Sequence, residues 1–306
     1  MSLSVDYINQ VELLIKVLPV INQNSNFALK GGTAINLFFR NMPRLSVDID
    51  LTYLPIQDRK TFLQSYSAEM LALMEAMQMQ GFSVRGVCVK ESNILSKILV
   101  QNANTTIKVE PNLILRGAVF KPSASSLCEA ASKRFSAMVE TQTLSFADVY
   151  GGKICAALAR QHPRDLFDIK LLLENEGLTN DVRQAFCIYL ASSPRPMHEI
   201  LNPEPNLKNL TSAFQEDFYG MTENVVALSE LQDHLMNLVR QIHQDLTENE
   251  RIFLLSIKLG EPEWGLINIE NLDKLPGLQW KLFNIRKMDP AKRKVMTDNL
   301  KRILEL

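Results

Sequence analysis

An alternating stretch, LSVDIDL, constrains the fold of this chain more than any other part of its sequence. From Leu45 to Leu51, apolar residues occupy every second position, and Ser46, Asp48 and Asp50 lie between them. Successive side chains of a β-strand point to opposite faces of the sheet, so this period of two predicts a strand with one apolar face. Both aspartates then project from the polar face, separated by two residue rises of ~3.3 Å each.

Two carboxylates held this close repel each other, and a shared divalent cation relieves the repulsion. Mg²⁺ and Mn²⁺ prefer hard oxygen ligands, and a Mg²⁺ held by few carboxylates leaves room for phosphate oxygens. Upstream, Gly31, Gly32 and Thr33 open a predicted helix of about residues 33–40. Small residues there permit close approach to the backbone, whose free N–H groups form an anion site. Together, the Gly-Gly turn and the aspartates predict a site for a metal ion and a nucleoside triphosphate.

Each of these motifs taken alone has a simpler explanation. A DxD pair on a strand is common at solvated sheet edges, and a GGT turn occurs wherever a loop meets a helix. The two motifs in this order, with Arg44 and Ser46 just ahead of the aspartates, are much more specific. We therefore interpret the combination as catalytic.

The rest of the sequence indicates an N-terminal α/β half followed by a helical half. Helical spacing predicts helices over 6–22 and 57–80, the second ending at Gly81, and β-like pieces follow at 82–90, 95–101 and 105–115, joined by ESN and NANT turns. After about residue 125, strand signals mostly stop and helices are predicted at 127–138, 145–160, 164–175, 179–192, 206–217, 221–245, 247–258 and 289–305. The predicted fold is α/β (α+β), with a mixed sheet and flanking helices in residues 1–125. A helical domain of residues 126–306 is expected to close one side of a cleft.

A second set of charged residues lies in the helical half. Lys153 and Arg160 are seven residues apart on a predicted helix, so they share a face, and Lys153 could bind a triphosphate as a point charge. Arg164 and Asp168 are four apart and could pair at the rim of the cleft. The alternative is a solvated helix end whose exposed Arg–Asp pair contributes well under ~1 kcal/mol. Small residues near Lys153 allow tight packing: Gly151, Gly152, Ala156 and Ala157.

The first motif resembles the signature of the nucleotidyltransferase superfamily, which is a Gly-Gly or Gly-Ser turn, a helix and an hDhDh strand. Residues 33–47 separate the turn from Asp48, a spacing slightly longer than in many members. The superfamily adds a third carboxylate on a neighbouring strand, and Glu110, within IKVEP, matches it. Lys108 and Glu110 share one face of that strand, but a Glu stands where many relatives carry Asp. A surface carboxylate opposite Lys108 is the alternative.

Both stretches together are similar to the AbiEii/AbiGii nucleotidyltransferase toxins, which include the mycobacterial MenT toxins. The family pattern of GGTAL, R-x-S-x-DIDL, a K-x-x-A-L-x-x-R helix and RDLxD is matched here by GGTAI, RLSVDIDL, KICAALAR and RDLFD. The C-terminal stretch from ERIFLLSIKLGEPEW to KMDPAKR also looks like that of AbiEii-type members. The resemblance covers nearly the whole chain.

The resemblance implies a set of site residues. Asp48 and Asp50 would be catalytic ligands of Mg²⁺ or Mn²⁺, with Glu110 as a third ligand. Lys153 would be the essential lysine that contacts the nucleotide, and Asp168 a second catalytic acid, for which Asp165 is an equally placed alternative. The implied nucleotide-binding residues are Gly31, Gly32, Thr33, Ser46, Arg160, Arg164 and Asp165.

The resemblance also implies a function. The chain would be the toxin of a toxin–antitoxin or abortive-infection (phage defence) system, held in check by a cognate antitoxin. It would transfer a nucleoside monophosphate from a nucleoside triphosphate to RNA, such as the tRNA 3′ end. Two alternatives stay open: a module that binds GTP or another nucleotide without transferring it, and transfer to a protein or small molecule.

Composition excludes several classes of protein. The 306 residues carry 33 Lys+Arg and 34 Asp+Glu, a balance that excludes a wholly basic nucleic-acid coat. No apolar run approaches the ~18 residues of a membrane span, and the N-terminus does not read as a secretory signal. The four cysteines are scattered without a CxxC motif, which predicts reduced thiols in a cytoplasmic protein.

The C-terminal segment is locally basic despite this balance. Residues 281–302 hold eight basic residues and only two acids, and Trp280 and Phe283 interleave with the charge. This pattern suits binding of an RNA backbone with stacking of bases on the aromatic rings. The alternative is a solvated helix face whose aromatic residues belong to the core.

Overall fold

A computed structural model describes residues 3–90, 93–102 and 105–306 of the chain. The predicted ESN and NANT turns fall largely on residues 91–92 and 103–104, and thus lie outside the described residues. The chain forms two compact units. Unit 1 comprises the described residues up to Ser145 together with Tyr219–Val225, and unit 2 comprises Phe146–Phe218 and Val226–Leu306. The predicted division at residue 125 into a catalytic and a helical domain stays a prediction.

A seven-stranded mixed sheet forms the frame of unit 1. Its strands are β1 (Phe27–Lys30), β2 (Asp48–Tyr53), β3 (Ser83–Cys88), β4 (Leu95–Asn102), β5 (Thr105–Asn112), β6 (Ser123–Ser126) and β7 (Glu140–Thr143). Their order across the sheet is β3-β4-β5-β2-β1-β7-β6. The central strand β2 runs parallel to β5 and antiparallel to β1, so the sheet is mixed as the sequence predicts.

Helices accompany this sheet in unit 1. They are α1 (Val5–Ile21), α2 (Gly31–Ala34), α3 (Arg59–Met79) and α4 (Glu129–Phe135), and a π-helical turn over Ile35–Phe39 continues α2. Four aromatic rings of β1, β2 and α3 pack together with centroids 5.2 to 6.4 Å apart: Phe27, Tyr53, Phe62 and Tyr66. Burial of such rings is a main source of stability in a core.

The strand that carries the aspartates begins later than its alternation predicts. β2 starts at Asp48, because the backbone N–H of Leu45 donates to the carbonyl of Met221 at 2.8 Å and not to a neighbouring strand. This partner is remote in sequence, so no local pattern indicates it. Three strands are absent from the prediction: β1 (FALK) has only four residues, and β6 (SASS) and β7 (ETQT) are short and polar and lack apolar alternation.

Unit 2 is helical. Its helices are α5 (Phe146–Arg160), α6 (Pro163–Asn175), α7 (Asn180–Ser192), α8 (Met197–Leu201), α9 (Leu207–Ala213), α10 (Leu228–Asp245), α11 (Glu248–Leu259), α12 (Pro276–Arg286) and α13 (Pro290–Leu304). Both α8 and α12 are missing from the prediction, and the helix predicted over 221–245 begins only at Leu228. The fold class, a mixed α/β sheet followed by a helical C-terminal part, is confirmed.

Close packing of α5 and α7 depends on one glycine. A Cβ added at Gly151 would lie 2.7 Å from the Cβ of Ala185, whereas a Cβ at Gly152 would meet nothing within 4 Å. Of the two glycines, only Gly151 therefore serves the tight packing that the sequence predicts. None of the helices in the described part of the chain has the length and apolar character needed to span a bilayer.

Candidate functional site

The Gly-Gly turn lies directly against one of the two aspartates. Gly31 follows β1 with a φ of +71°, and a Cβ added there would lie 2.3 Å from Asp50 Oδ2. Both the left-handed backbone and the close carboxylate therefore require glycine at this position. A Cβ at Gly32 would lie 2.7 Å from Arg44 Nη2 and 2.8 Å from Ser46 Oγ. The turn is thus enclosed by the residues that precede β2.

Hydrogen bonds tie the start of α2 to the start of β2. Buried Thr33 donates from Oγ1 to the carbonyl oxygen of Asp48 at 2.6 Å, and the same hydroxyl lies 3.0 Å from Ser46 Oγ. Arg44 is also buried and donates to the carbonyl of Leu45 at 2.8 Å. Thr33, Ser46 and Arg44 therefore hold the turn and the aspartate strand in a fixed relation.

The acidic residues meet on one face of the sheet. Ile49 and Leu51 are fully buried, whereas Asp48 and Asp50 between them are partly exposed, so the two aspartates share the opposite face, as predicted. In the parallel pairing of β2 and β5, Asp50 lies opposite Glu110. Glu110 thus joins the same face on the neighbouring strand, which is the position that the superfamily resemblance implies for a third acid.

Two lysines flank this acidic pair. Lys97 Nζ lies 2.5 Å from Glu110 Oε1, and Lys30 lies opposite Asp50 in the antiparallel pairing of β1 and β2. Burial lowers the pKa of Lys30, and the charge of Asp50 partly opposes that shift. Charge therefore alternates across four adjacent strands: Lys97, Glu110, Asp50, Lys30. Sequence reasoning missed both lysines, because their positions follow from strand register.

The alternative prediction, in which Glu110 is a surface carboxylate opposite Lys108, is wrong about the lysine. Glu110 pairs with Lys97 of β4, while Lys108 lies opposite Asp48 in the β2–β5 register. Within the described residues, the ligand atoms of the three carboxylates do not all come within 4.8 Å of one another. A cation shared by all three would have to compete with Lys97 for Glu110.

The donor set nevertheless fits a hard divalent cation. Asp48, Asp50 and Glu110 offer only oxygen ligands, which is the preference of Mg²⁺ and Mn²⁺. The missing Cβ of Gly31 leaves backbone next to Asp50, where phosphate oxygens can approach. We conclude that the residues present suit a metal–triphosphate group.

A buried ionic cluster occupies unit 2. Lys153 Nζ lies 3.0 Å from Asp165 Oδ1 and 3.1 Å from Asp168 Oδ2, and Arg160 Nε lies 2.5 Å from Asp165 Oδ2. The side chains of Lys153, Asp165 and Asp168 are 7%, 2% and 0% exposed. Burial alone would raise the pKa of Asp165, but Lys153 and Arg160 outweigh it and hold that pKa well below its usual range.

The cluster confirms one predicted relation and overturns two. Lys153 and Arg160 share a face, since both contact Asp165. Arg164 does not pair with Asp168 in the described structure, because the buried Lys153 takes that carboxylate. The cluster is also not a solvated helix end, because its lysine and both aspartates are buried.

A second cluster of acidic residues in unit 2 is paired with a lysine side chain. Glu174, Glu230 and His234 bring their ligand atoms within 4.8 Å of one another, a spacing that would suit a metal ion. Lys170 Nζ, however, lies 3.2 Å from Glu174 and 3.1 Å from Glu230. This lysine supplies the positive charge that links α6 and α10.

The basic C-terminal segment contains both structural and exposed residues. Lys281 is buried on α12 and donates to the carbonyls of Ser193 and Arg195 at 2.6 and 3.3 Å. Burial, together with the charge of Lys258, lowers the pKa of Lys281 to about 8. By contrast, exposed Lys287 lies over the exposed ring of Phe283, 4.0 Å from its centroid. Neither of the two interpretations of this segment, an RNA-binding surface or a solvated helix face with aromatic residues in the core, therefore describes all of its residues.

Comparison with known proteins identifies the family. No curated protein sequence matches the chain significantly. Among solved structures, MenT4, a nucleotidyltransferase toxin from Mycobacterium tuberculosis H37Rv, is similar with a TM-score of 0.61 and 13% identity, covering 97% of this chain and 93% of that chain. At that identity, the likeness concerns the fold. A family model described as "Nucleotidyl transferase AbiEii toxin, Type IV TA system" matches residues 12–257. The chain belongs to the AbiEii family of nucleotidyltransferase toxins of type IV toxin–antitoxin systems.

Proposed function

We propose that this chain transfers a nucleoside monophosphate from a nucleoside triphosphate to an acceptor and releases pyrophosphate. The contact between Gly31 and Asp50 carries this proposal. It joins a turn whose backbone can bind phosphate oxygens to a carboxylate that can bind a divalent cation. These are the two components that a metal–triphosphate substrate requires.

The residues of unit 1 have distinct parts in this proposal. The backbone of Gly31 and Gly32 binds β- and γ-phosphate oxygens. Thr33 and Ser46 line the turn, and Thr33 also holds the Asp48 backbone through its hydrogen bond. This arrangement fixes the aspartates relative to the phosphates before the substrate arrives, which is the main way in which enzymes promote phosphoryl transfer.

Asp48 and Asp50 would hold Mg²⁺ or Mn²⁺, with Glu110 as a third ligand. When bound, the metal supplies neutralisation of phosphate charge and activation of the attacking hydroxyl. Lys97 forms an ion pair with Glu110, which lies on the same side of the sheet as Asp50.

The buried cluster of unit 2 has its role assigned from the family resemblance. Lys153 would contact the nucleotide together with Arg160, Arg164 and Asp165, and Asp168 would be a second catalytic acid. Burial supports a functional role: replacing buried ion pairs by apolar residues is often neutral or stabilising, so a need for stability alone does not account for this buried charged group. Charged groups buried in this way occur preferentially at functional sites.

RNA, such as the tRNA 3′ end, is the acceptor that we propose. The exposed basic residues of α12 and α13 support it, because they would neutralise backbone phosphates. We further propose that the toxin acts in the cytoplasm, in abortive infection and phage defence, and is restrained by its cognate antitoxin. Transfer to a protein or a small molecule is the alternative for the acceptor.

A second candidate function is nucleotide binding without transfer. The observation that favours it is the Lys97–Glu110 ion pair, which engages the third carboxylate and so reduces its availability to a metal ion. In that case the chain would capture GTP or another nucleotide and act through its bound form.

One experiment separates these functions. The protein is incubated with total RNA, Mg²⁺ and each of the four ribonucleoside triphosphates labelled at the α-phosphate. We expect label to enter RNA with at least one nucleotide, and Asp50→Asn to abolish it. Nucleotide binding that survives Asp50→Asn, with no pyrophosphate released by either protein, would identify a binding module. Label on protein but not on RNA would instead assign a protein acceptor.

A further inference from the structure

A lysine directly precedes the Gly-Gly turn. Lys30 is the last residue of β1, and Gly31 is the first residue of α2. In the antiparallel register of β1 and β2, Lys30 lies opposite Asp50. Residues that lie opposite each other in a strand pair project from the same face of the sheet. The preceding pair in this register, Leu29 and Leu51, is buried on the other face. Lys30 therefore projects from the face that carries the aspartates.

The ammonium group of Lys30 forms no ion pair or hydrogen bond in the described part of the chain. Side chains that lie directly opposite each other have Cβ atoms about 4.5–5.5 Å apart, so a lysine at this position is long enough to reach Asp50. It nevertheless leaves that carboxylate unpaired with itself. Lys30 is also partly exposed. Its charge is therefore available to a ligand in the site.

Two other cations near the turn are engaged by protein groups. Arg44 is buried and donates to the carbonyl of Leu45 at 2.8 Å. Lys97 forms an ion pair with Glu110 on the far side of β2 from the turn. A substrate that approaches the turn would have to break existing contacts to use either of them, whereas Lys30 has none to break.

The charge balance of a metal–triphosphate complex calls for a cation at this place. A nucleoside triphosphate and three carboxylates together carry more negative charge than two divalent metal ions neutralise. The backbone N–H groups of the turn supply only partial positive charges. An ammonium group forms charge-assisted hydrogen bonds with phosphate oxygens and acts on them as a point charge. A lysine next to the turn would therefore stabilise the bound triphosphate.

We propose that Lys30 binds the triphosphate of the substrate, with its ammonium group donating to oxygens of the phosphates held at the Gly31–Gly32 turn. This inference rests on the proposed transfer function and adds a substrate-binding residue to it. Lys30, the turn and Asp50 all belong to unit 1, so the contact is independent of the ionic cluster in unit 2. The structural alternative is that Lys30 only offsets the charge of Asp50.

Titration with inorganic tripolyphosphate tests this contact without a base, an acceptor or a transfer step. Wild type, Lys30→Met, Lys30→Arg and the control Lys108→Met are titrated at saturating Mg²⁺ and constant ionic strength. Methionine keeps the length of lysine and removes its charge, whereas arginine keeps the charge.

Lys108 provides a matched control on the same face of the sheet. It is exposed and lies opposite Asp48, as Lys30 lies opposite Asp50. It belongs to β5, however, which is separated from β1 and the turn by β2, a distance of two strand spacings of ~4.8 Å each. Its variant therefore controls for the loss of one positive charge beside the aspartates.

We expect Lys30→Met to weaken tripolyphosphate binding by tenfold or more, Lys108→Met by less than threefold, and Lys30→Arg to bind within threefold of wild type. If Lys30 only offsets the charge of Asp50, Lys30→Met should instead lower the Mg²⁺ concentration at which binding is half-maximal and leave the affinity at saturating Mg²⁺ unchanged. That result, or an equal loss in Lys30→Met and Lys108→Met, would overturn the proposal. Should Lys30→Met fail to fold, Lys30→Gln gives the same comparison.

The transfer assay separates this contact from the proposed function. The apparent KM for the nucleotide should rise about tenfold in Lys30→Met with little change in kcat, because a contact made equally in the bound substrate and in the transition state affects binding alone. Tripolyphosphate binding that depends on Lys30, in a protein that transfers nothing, would retain the contact and reject the transfer function. Transfer by wild type, with unchanged tripolyphosphate binding in Lys30→Met, would reject the contact and retain the function. A wild-type protein that binds no tripolyphosphate would overturn both.

Discussion

Asp50 of β2 and Glu110 of β5 lie directly opposite each other across a parallel pair of strands. Lys97 binds Glu110 from the next strand, so the same carboxylate has two possible partners: a divalent cation shared with Asp50, or the ammonium group. Changing Glu110 and Lys97 separately shows which partner matters for function. Either change breaks the ion pair, but only the change at Glu110 also removes a possible metal ligand.

The first prediction compares Glu110→Gln with Lys97→Met. As a metal ligand, Glu110 should be needed for transfer, and its change should lower the rate by about 10- to 100-fold or more. Lys97→Met should leave the rate within a few fold and lower the Mg²⁺ concentration needed for half-maximal activity, because it frees Glu110. Both side chains are about a third exposed (33% and 35%), so each change should alter the free energy of unfolding by less than ~1 kcal/mol. Equal loss of activity in the two variants would show that only the ion pair matters.

The second prediction concerns the turn at Gly31. Gly31→Ala forces a Cβ into a left-handed backbone and against Asp50 Oδ2, so we expect transfer to be lost and stability to fall by about 1–3 kcal/mol. Gly81→Ala is the matched control, since Gly81 has a φ of +85° but open space around it. Gly81→Ala should lower the free energy of unfolding, measured by urea denaturation, by about 1 kcal/mol and should retain full activity. Full activity in Gly31→Ala would show that the turn at Gly31 is not part of the active site.

The sequence predicts local relations of this site well and non-local ones poorly. The period of two in LSVDIDL is enough to place Asp48 and Asp50 on one face, because side-chain alternation is a property of any strand. The partners of Glu110 depend on the register of β4 and β5, which arises only when the sheet assembles. Likewise, Arg164 and Asp168 have the four-residue spacing of an ion pair on a helix, yet Asp168 pairs with Lys153 of the preceding helix.

The third prediction tests the contact between α5 and α7 with two adjacent glycines. Gly151→Ala would place its Cβ 2.7 Å from the Ala185 Cβ and the Phe186 backbone nitrogen, which overpacks the interface and should destabilise the protein by about 1–3 kcal/mol. Gly152→Ala has open space and should stabilise it by about 0.5–1 kcal/mol through helix propensity. Urea unfolding measures both. Similar shifts in the two variants would contradict the close approach at Gly151.

The fourth prediction follows from the pKa of Asp165, which Lys153 and Arg160 hold below the ordinary value of 3.8. Above that pH the carboxylate is ionised in both the folded and the unfolded chain, so its ion pairs contribute fully. As the pH falls below about 4, the unfolded chain takes up a proton that the folded chain does not, and this contribution is lost. Wild type should therefore exceed Asp165→Asn in stability by a constant amount between about pH 5 and 7, and the difference should shrink below about pH 4. A difference that grows on acidification would contradict the depressed pKa.

The last prediction concerns Lys153, whose change has two consequences that must be separated. Lys153→Ala leaves Asp165 and Asp168 buried with less positive charge, so we expect a loss of about 3–5 kcal/mol in stability and a lower melting temperature.

Loss of toxicity in Lys153→Ala alone would therefore not establish contact with the nucleotide. The double variant Lys153→Met/Asp168→Asn removes one charge of each sign and leaves the Arg160–Asp165 pair intact, so it should recover much of the stability. If Lys153 contacts the nucleotide, the double variant should transfer about one to two orders of magnitude more slowly than the single variant Asp168→Asn, which controls for the loss of that proposed catalytic acid. Recovery of the transfer rate together with the melting temperature would show that Lys153 has a structural role only.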